Sequence, residues 1–250
     1  MDSEKIRFLY CGGESISVEF SNEISPATNN QIRSLVDCLK SNPINGIIDI
    51  IPTYRSLLIN YDCRKISGDK LVKAIKKHID KCNTGSDNKK RIFVVPVCYE
   101  GEFAPDMKNV CDHNKLAPEE VISIHSSSDY LIYMLGFLPG FPYLGGLDER
   151  IHTPRLESPR TSISEGSVGI GGKQTGIYPM ASPGGWQLIG KTPIKVYDSK
   201  RENPIPYNAG DYIRFKPISS EEFYSIKALV EPIVLHRLRL SDCSYCRSFS

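Results

Sequence analysis

Residues 136–190 read GFLPGFPYLGGLDERIHTPRLESPRTSISEGSVGIGGKQTGIYPMASPGGWQLIG, and this stretch decides what the second half of the chain can become. It holds 12 of the 19 glycines, with Trp186, the only tryptophan, near its end. Glycine lacks the Cβ that forbids positive φ and close backbone approach, so this density implies a chain that turns sharply and exposes its amides. The interleaved Pro139, Pro142, Pro154, Pro159, Pro179 and Pro183 fix φ, which separates the stretch from a floppy linker. Short segments in and around it (130–138, 167–170, 186–189, 194–197 and 212–215) are separated by Gly/Pro turns, the pattern of a β-barrel or sandwich.

Upstream, the periodicity changes. Residues 6–10 and 15–20 alternate apolar with polar around Gly12-Gly13, as a hairpin does. Ser25-Pro26 supplies an N-cap and a proline at the first helical position, and Ile32, Leu35, Val36 and Leu39 recur on one helical face until Asn42-Pro43. Residues 46–54 and 56–61 read as strands, and Leu71, Val72, Ile75 and Ile79 mark a second helix whose lysine-rich outer face is a solvated surface. The polar cluster 83–88 precedes the apolar run 92–97 and marks a domain boundary. Pro118-Glu119-Glu120 opens a short helix that runs to about His125, and 221–230 reads as a closing helix. The organisation predicted is an N-terminal domain over 1–88, a β-rich domain over 89–240 and a tail over 241–250.

Composition bounds the function. The 250 residues carry Lys+Arg 31 against Asp+Glu 29, a net charge of +2, too little to drive binding to a phosphate backbone by counterion release. No nucleic-acid partner is expected. The N-terminus lacks a signal-peptide pattern and no apolar run reaches spanning length, so a cytoplasmic protein without a membrane partner is predicted. Six of the eight cysteines are scattered at unrelated spacings and read as reduced thiols; Cys243 and Cys246 form a lone C-x-x-C without a second ligand pair, so no metal site is predicted.

The candidate chemistry clusters in and just before the glycine block. His125 sits where a helix gives way to a strand, suited to an acid, a base or a polar anchor, or equally to a cationic cap on the helix. Arg155 and Arg160 occupy the parallel phrases T-P-R-L-E and S-P-R-T-S, where a rigid loop suits guanidinium capture of an anion or a partner; pairing with Glu157 or Asp148 is the alternative. The run 169–176 has the residue types of a phosphate loop without its spacing. Gln174, Thr175 and Tyr178 set an amide and two hydroxyls beside glycines, suited to a small polar molecule or to turn capping. Trp186 reads as a pocket wall or, more simply, as a plug in the barrel core. A Ser182/His125/Asp148 triad lacks supporting spacing and there is no G-x-S-x-G elbow.

The phrases GIIDIIPTYRSLLINYD (46–62), VPVCYEGEFAPDM (95–107), YMLGFLPGFPYLGGLDERI (133–151) and TPRLESPRTSISEGSVGIGGKQTGIYPMASPGGWQLIGKTP (153–193) resemble the KipI/PxpB family, also called allophanate hydrolase subunit 1. The resemblance spans nearly the whole chain. It implies an α+β protein, with an N-terminal ferredoxin-like α/β domain followed by a cyclophilin-like β-barrel domain. It implies the B subunit of a 5-oxoprolinase, a complex that opens 5-oxo-L-proline to L-glutamate with ATP and Mg²⁺, in company with KipA/PxpC-like and LamB/YcsF-like (PxpA) subunits. A related member inhibits a histidine kinase, and homologous regions form half of a carboxyltransferase module in urea carboxylase.

On this resemblance His125, Gln174 and Tyr178 are expected to be catalytic and Arg160, Thr175 and Trp186 to bind substrate, joined by Arg155 from the reading of its loop, with ATP held mainly elsewhere in the complex and the chain inactive alone. The family's usual phrase V-P-A-G-S-V-G-I-A-G departs here to Ile163-Ser164-Glu165-Gly166-Ser167-Val168-Gly169-Ile170-Gly171-Gly172, losing a proline and gaining a carboxylate.

Overall fold

The computed structural model describes residues 6–81 and 91–233. The chain forms two compact units, residues 1–89 and 90–250. The polar cluster at 83–88, Cys243, Cys246 and the tail lie outside the described residues.

The first unit alternates β1 (Arg7–Tyr10), β2 (Ser15–Glu19), α1 (Pro26–Ser41), β3 (Ile47–Pro52), β4 (Ser56–Tyr61) and α2 (Gly68–Lys81). Its antiparallel sheet has the order β1-β2-β4-β3. From β2 onward this is the ferredoxin-like β-α-β-β-α progression, and β1, paired to the outer edge of β2, stands where that motif's last strand would pair. The side chain of Ser25 caps α1 by accepting from the Thr28 amide at 3.1 Å. Ile32, Leu35 and Leu39 of α1 and Leu71, Ile75 and Ile79 of α2 bury against Ile16, Val18, Leu57 and Ile59 of the sheet. Cys38 of α1 is disulfide-bonded, which corrects the expectation of a reduced thiol there. Cys11, Cys63, Cys98 and Cys111 are free.

The second unit is built on a closed barrel of seven strands: β5 (Ile92–Cys98), β6 (Asp129–Leu135), β7 (Pro142–Gly145), β9 (Ser167–Gly171), β10 (Gln174–Ile177), β12 (Gln187–Lys191) and β13 (Tyr212–Ile218). Their order is β10-β7-β6-β13-β5-β12-β9, with β9 pairing back to β10. All neighbours are antiparallel except β5 and β13. A small sheet of β8 (Arg160–Ile163) and β11 (Ser182–Gly184) lies apart from the barrel strands. Helices α3 (Met107–Asn114) and α4 (Pro118–Ser126) fall between β5 and β6, and α5 (Ser220–Ile233) follows β13. The amide of Ala117 donates to the Glu120 carboxylate at 2.8 Å, which fixes the start of α4.

Sequence periodicity misses α3, whose only apolar signal is Met107, Val110 and Cys111, all buried. Residues 194–197, expected as a strand, are irregular. Barrel interior and barrel wall have separate cores. Phe93, Val95, Tyr130, Ile170, Ile177, Ile213 and Phe215 belong to the main core, whereas Phe141, Ile163, Tyr178, Trp186 and Leu188 form a cluster of their own.

Candidate functional site

Strand β10 sorts the candidate residues by the alternation of its side chains. Thr175 is fully buried and reaches His125, so its face is the interior, while Gln174 and Gly176 take the opposite face. A Cβ placed on Gly176 would meet the Trp186 and Phe141 rings, which shows that the opposite face carries the aromatic cluster. Residue 178 continues that outward register, and Tyr178 packs with Trp186 and Phe141.

Inside, His125 has no accessible surface. Its Nδ1 lies 2.8 Å from the Tyr99 hydroxyl and its Nε2 2.8 Å from Thr175 Oγ1. Thr175 spends its single hydroxyl proton on the Gly169 carbonyl at 3.1 Å. Nε2 must therefore carry the hydrogen toward Thr175, and Nδ1 accepts from Tyr99. The ring stacks on Phe215 at 4.5 Å, and the Tyr130 hydroxyl donates to the His125 carbonyl at 2.8 Å. Burial lowers the His125 pKa to about 3. The neutral ring with both nitrogens engaged is the polar-anchor geometry; it holds no positive charge for a helix cap at neutral pH.

Outside, Trp186 lies flat against glycine backbone. A Cβ on Gly171 would run into the indole, and one on Gly184 would come within 2.6 Å of the Tyr178 hydroxyl. The glycines of the block thus make room for rings. Phe141 sits edge-on to Trp186 at 5.5 Å and to Tyr178 at 5.4 Å. Trp186 is accordingly an outer-wall residue and not the plug of the barrel core.

Arg155 covers this wall, its guanidinium carbon 5.9 Å from the Trp186 ring centre. Its loop is pinned on both sides. Thr153 and Gly172 exchange main-chain hydrogen bonds at 3.3 and 2.8 Å, the Pro154 carbonyl accepts from the Gln187 amide side chain at 3.0 Å, and the Leu156 amide donates to Gly185 at 2.7 Å. Arg155 makes no ion pair among the described residues, so an exposed cation is held on a fixed loop without a protein counter-charge.

Arg160 behaves differently. It donates to Asp106 at 2.6 Å, and the other Asp106 oxygen accepts from the Leu188 amide at 2.7 Å. Asp106 is 4% exposed. Neither expected partner is used, since Asp148 pairs with Arg150 at 2.8 Å. Tyr178 lies near both arginines: burial raises its pKa, while the Trp186 main chain and the charges of Arg155 and Arg160 oppose the rise.

The structure therefore brings Arg155, Arg160, Tyr178 and Trp186 together on the outer wall, sets Gln174 on the same face, and places His125 and Thr175 behind it. Among the described residues the Ser182 hydroxyl has no hydrogen-bond partner and His125 is engaged elsewhere, so no serine triad is assembled there. Sequence reasoning missed Asp106 and Gln187, the residues that fix Arg160 and the Arg155 loop. Asp106 stands in the phrase VPVCYEGEFAPDM, but its partner is 54 positions away and leaves no local signal.

Residues 6–207 match the family described as carboxyltransferase domain, subdomain C and D. The chain belongs to this family. One relative, the B subunit of 5-oxoprolinase from Bacillus subtilis (strain 168), is 38% identical over 226 residues, covering 86% of this chain and 94% of that protein. The solved structure of TTHA0988 is 33% identical with a TM-score of 0.73, over 82% of this chain and 40% of that one, so this chain spans less than half of it. The urea carboxylase of Kluyveromyces lactis, 24% identical with a TM-score of 0.72 over 89% of this chain and 22% of that one, shares the fold. Among the described residues no helix is long and apolar enough to cross a membrane.

Proposed function

We propose that the chain is the B subunit of an ATP-dependent 5-oxoprolinase that converts 5-oxo-L-proline to L-glutamate together with KipA/PxpC-like and LamB/YcsF-like (PxpA) subunits. The observation that carries this reading is the identity to a 5-oxoprolinase B subunit over nearly that protein's full length. The site supports it chemically. Arg155, rigidly held and without a counter-charge, suits the carboxylate of 5-oxoproline. Gln174, on the same face, carries both a donor and an acceptor to match a lactam amide. Tyr178 and Trp186 shape the wall behind the ligand, and Asp106 keeps Arg160 in place beside them. His125 and Thr175 hold β10 from its inner side.

ATP supplies phosphoryl activation of the lactam oxygen in this reading. Among the described residues no group of three or more His, Cys, Asp or Glu side chains could hold a metal ion, and the glycine-lysine run is a hairpin turn at Gly172-Lys173 between paired strands. A bound magnesium ion does not fit these residues and the glycine-lysine run is no phosphate cradle, so no phosphoryl-transfer step is assigned to this chain.

Reconstitution with both partner proteins tests the reading. The three together should release glutamate from 5-oxoproline and ATP, the chain alone should not, and Arg155→Ala should raise KM at least tenfold. Turnover by the isolated chain, or none by the assembled complex, would overturn it. Carboxyl transfer is the second reading, favoured by the family description and by the fold shared with urea carboxylase. Urea carboxylation by the assembled complex in place of lactam opening would establish it. Capture of a sensor histidine kinase by a chain that supports no lactam opening would favour the inhibitor reading instead.

A further inference from the structure

A separate cleft of about 760 Å³ in the second unit is lined by none of the residues assigned above to substrate. One wall is the turn between β8 and β9, another the segment after β12, and a third comes from α5 and the 3-10 turn Gly101–Phe103. Three lysines, Lys191, Lys195 and Lys227, line it. The Lys191 ammonium donates to the Ser164 hydroxyl at 2.9 Å. Burial lowers the Lys191 pKa and the charge of Lys227 lowers it further, while the charges of Glu102 and Glu165 oppose the fall, so this ammonium feels both a lysine and two carboxylates across the cleft. The Lys195 ammonium makes no ion pair among the described residues. Two glutamates also line the cleft, but Glu102 accepts from the Tyr224 hydroxyl at 3.0 Å, and the lysines outnumber the carboxylates three to two.

The chemistry of this set differs from that of the arginine wall. Lysines are compact point charges, and with a hydroxyl beside them they suit the rounded charge of a phosphoryl group better than the flat fork of a carboxylate. The wall from α5 and the 3-10 turn is aromatic. The Phe103 ring lies 4.3 Å from that of Phe223, tilted by 35°, with Tyr224 5.9 Å away and 53% exposed.

We propose that this cleft binds the phosphoryl group of a small organic phosphate, with Lys191, Lys195 and Lys227 around the phosphate and the ligand's ring against Phe103 and Tyr224. The proposal does not rest on the oxoprolinase reading. It is tested on the isolated full chain, without metal, by calorimetric titration with phenyl phosphate, ADP, inorganic phosphate and glutarate. Phenyl phosphate and ADP should bind at least tenfold more tightly than inorganic phosphate, and glutarate more weakly than either. Lys195→Glu and Lys191→Gln should each weaken ADP at least tenfold, Tyr224→Ala should erase the advantage of the ring, and Arg155→Ala should change nothing. Absence of phosphate binding, binding that survives both lysine changes, or glutarate bound as tightly as ADP would overturn the proposal. If phenyl phosphate bound and ADP did not, the ligand would be a simple aryl phosphate; if both bound equally, a nucleotide would be admitted.

Discussion

The two faces of β10 hold polar groups in opposite conditions. On the inner face the His125–Tyr99–Thr175 chain is closed, each donor matched to an acceptor, with His125 and Thr175 fully buried and Tyr99 nearly so. On the outer side Arg155 is exposed on a loop pinned by main-chain hydrogen bonds, over the Trp186 ring and without an ion-pair partner among the described residues. A buried polar group is costly unless satisfied, so the inner network is needed for folding. An exposed cation costs the fold little, and in the proposed reading it is left for a ligand. The inner side of β10 and the loop over its outer side thus separate stability from the recognition proposed here.

Substitutions can break this contrast, beginning with the largest effect. Trp186→Ala should remove about 3–5 kcal/mol of stability, because the flattened backbone at Gly171 and Gly176 cannot refill the space; urea unfolding measures it. Acid should act next, through the inner face. The folded chain holds His125 near pKa 3, below the roughly 6.5 of an unfolded histidine, so the unfolded chain binds the proton more readily. Stability is full above about pH 6.5 and falls toward pH 3, by up to about 1.4 kcal/mol per pH unit for this one proton. Unfolding midpoints at pH 7, 6 and 5 should show the fall, and His125→Gln should flatten it. Thr175→Val keeps the shape but leaves the Nε2 hydrogen without an acceptor, which should cost about 1–3 kcal/mol by thermal melting. Arg155→Ala should change stability by less than about 0.5 kcal/mol while abolishing most of the reconstituted activity at low substrate. A large stability loss there would mean that Arg155 belongs to the fold, and the contrast between the faces would fail.

The sequence shows the elements whose signal is local. Ser25 capping, the Ile32/Leu35/Leu39 stripe and the hairpin at Gly12-Gly13 all depend on residues within a turn or two of one another. The glycine block announces a barrel for the same reason. What it hides is set by distance. Asp106 meets Arg160 only after the barrel closes, and Met107–Asn114 is too short and too polar for its period to stand out. Residues 194–197 carry the apolar alternation of a strand but do not join the ladder. The residue types at the outer wall were readable in the sequence. Their division into inner and outer faces was not, because it follows from which strands flank β10.

The parallel pairing of β5 with β13 has a consequence for synthesis. Seven residues of the barrel's first strand, Ile92–Cys98, find partners in Tyr212–Ile218, 120 positions later. Until the ribosome has delivered that last strand, β5 emerges with an open edge of valines and a phenylalanine, able to pair with any other nascent chain. Release of a truncated product ending before residue 212 should therefore leave an aggregating fragment, whereas the strands from β6 to β12 can meet as they appear.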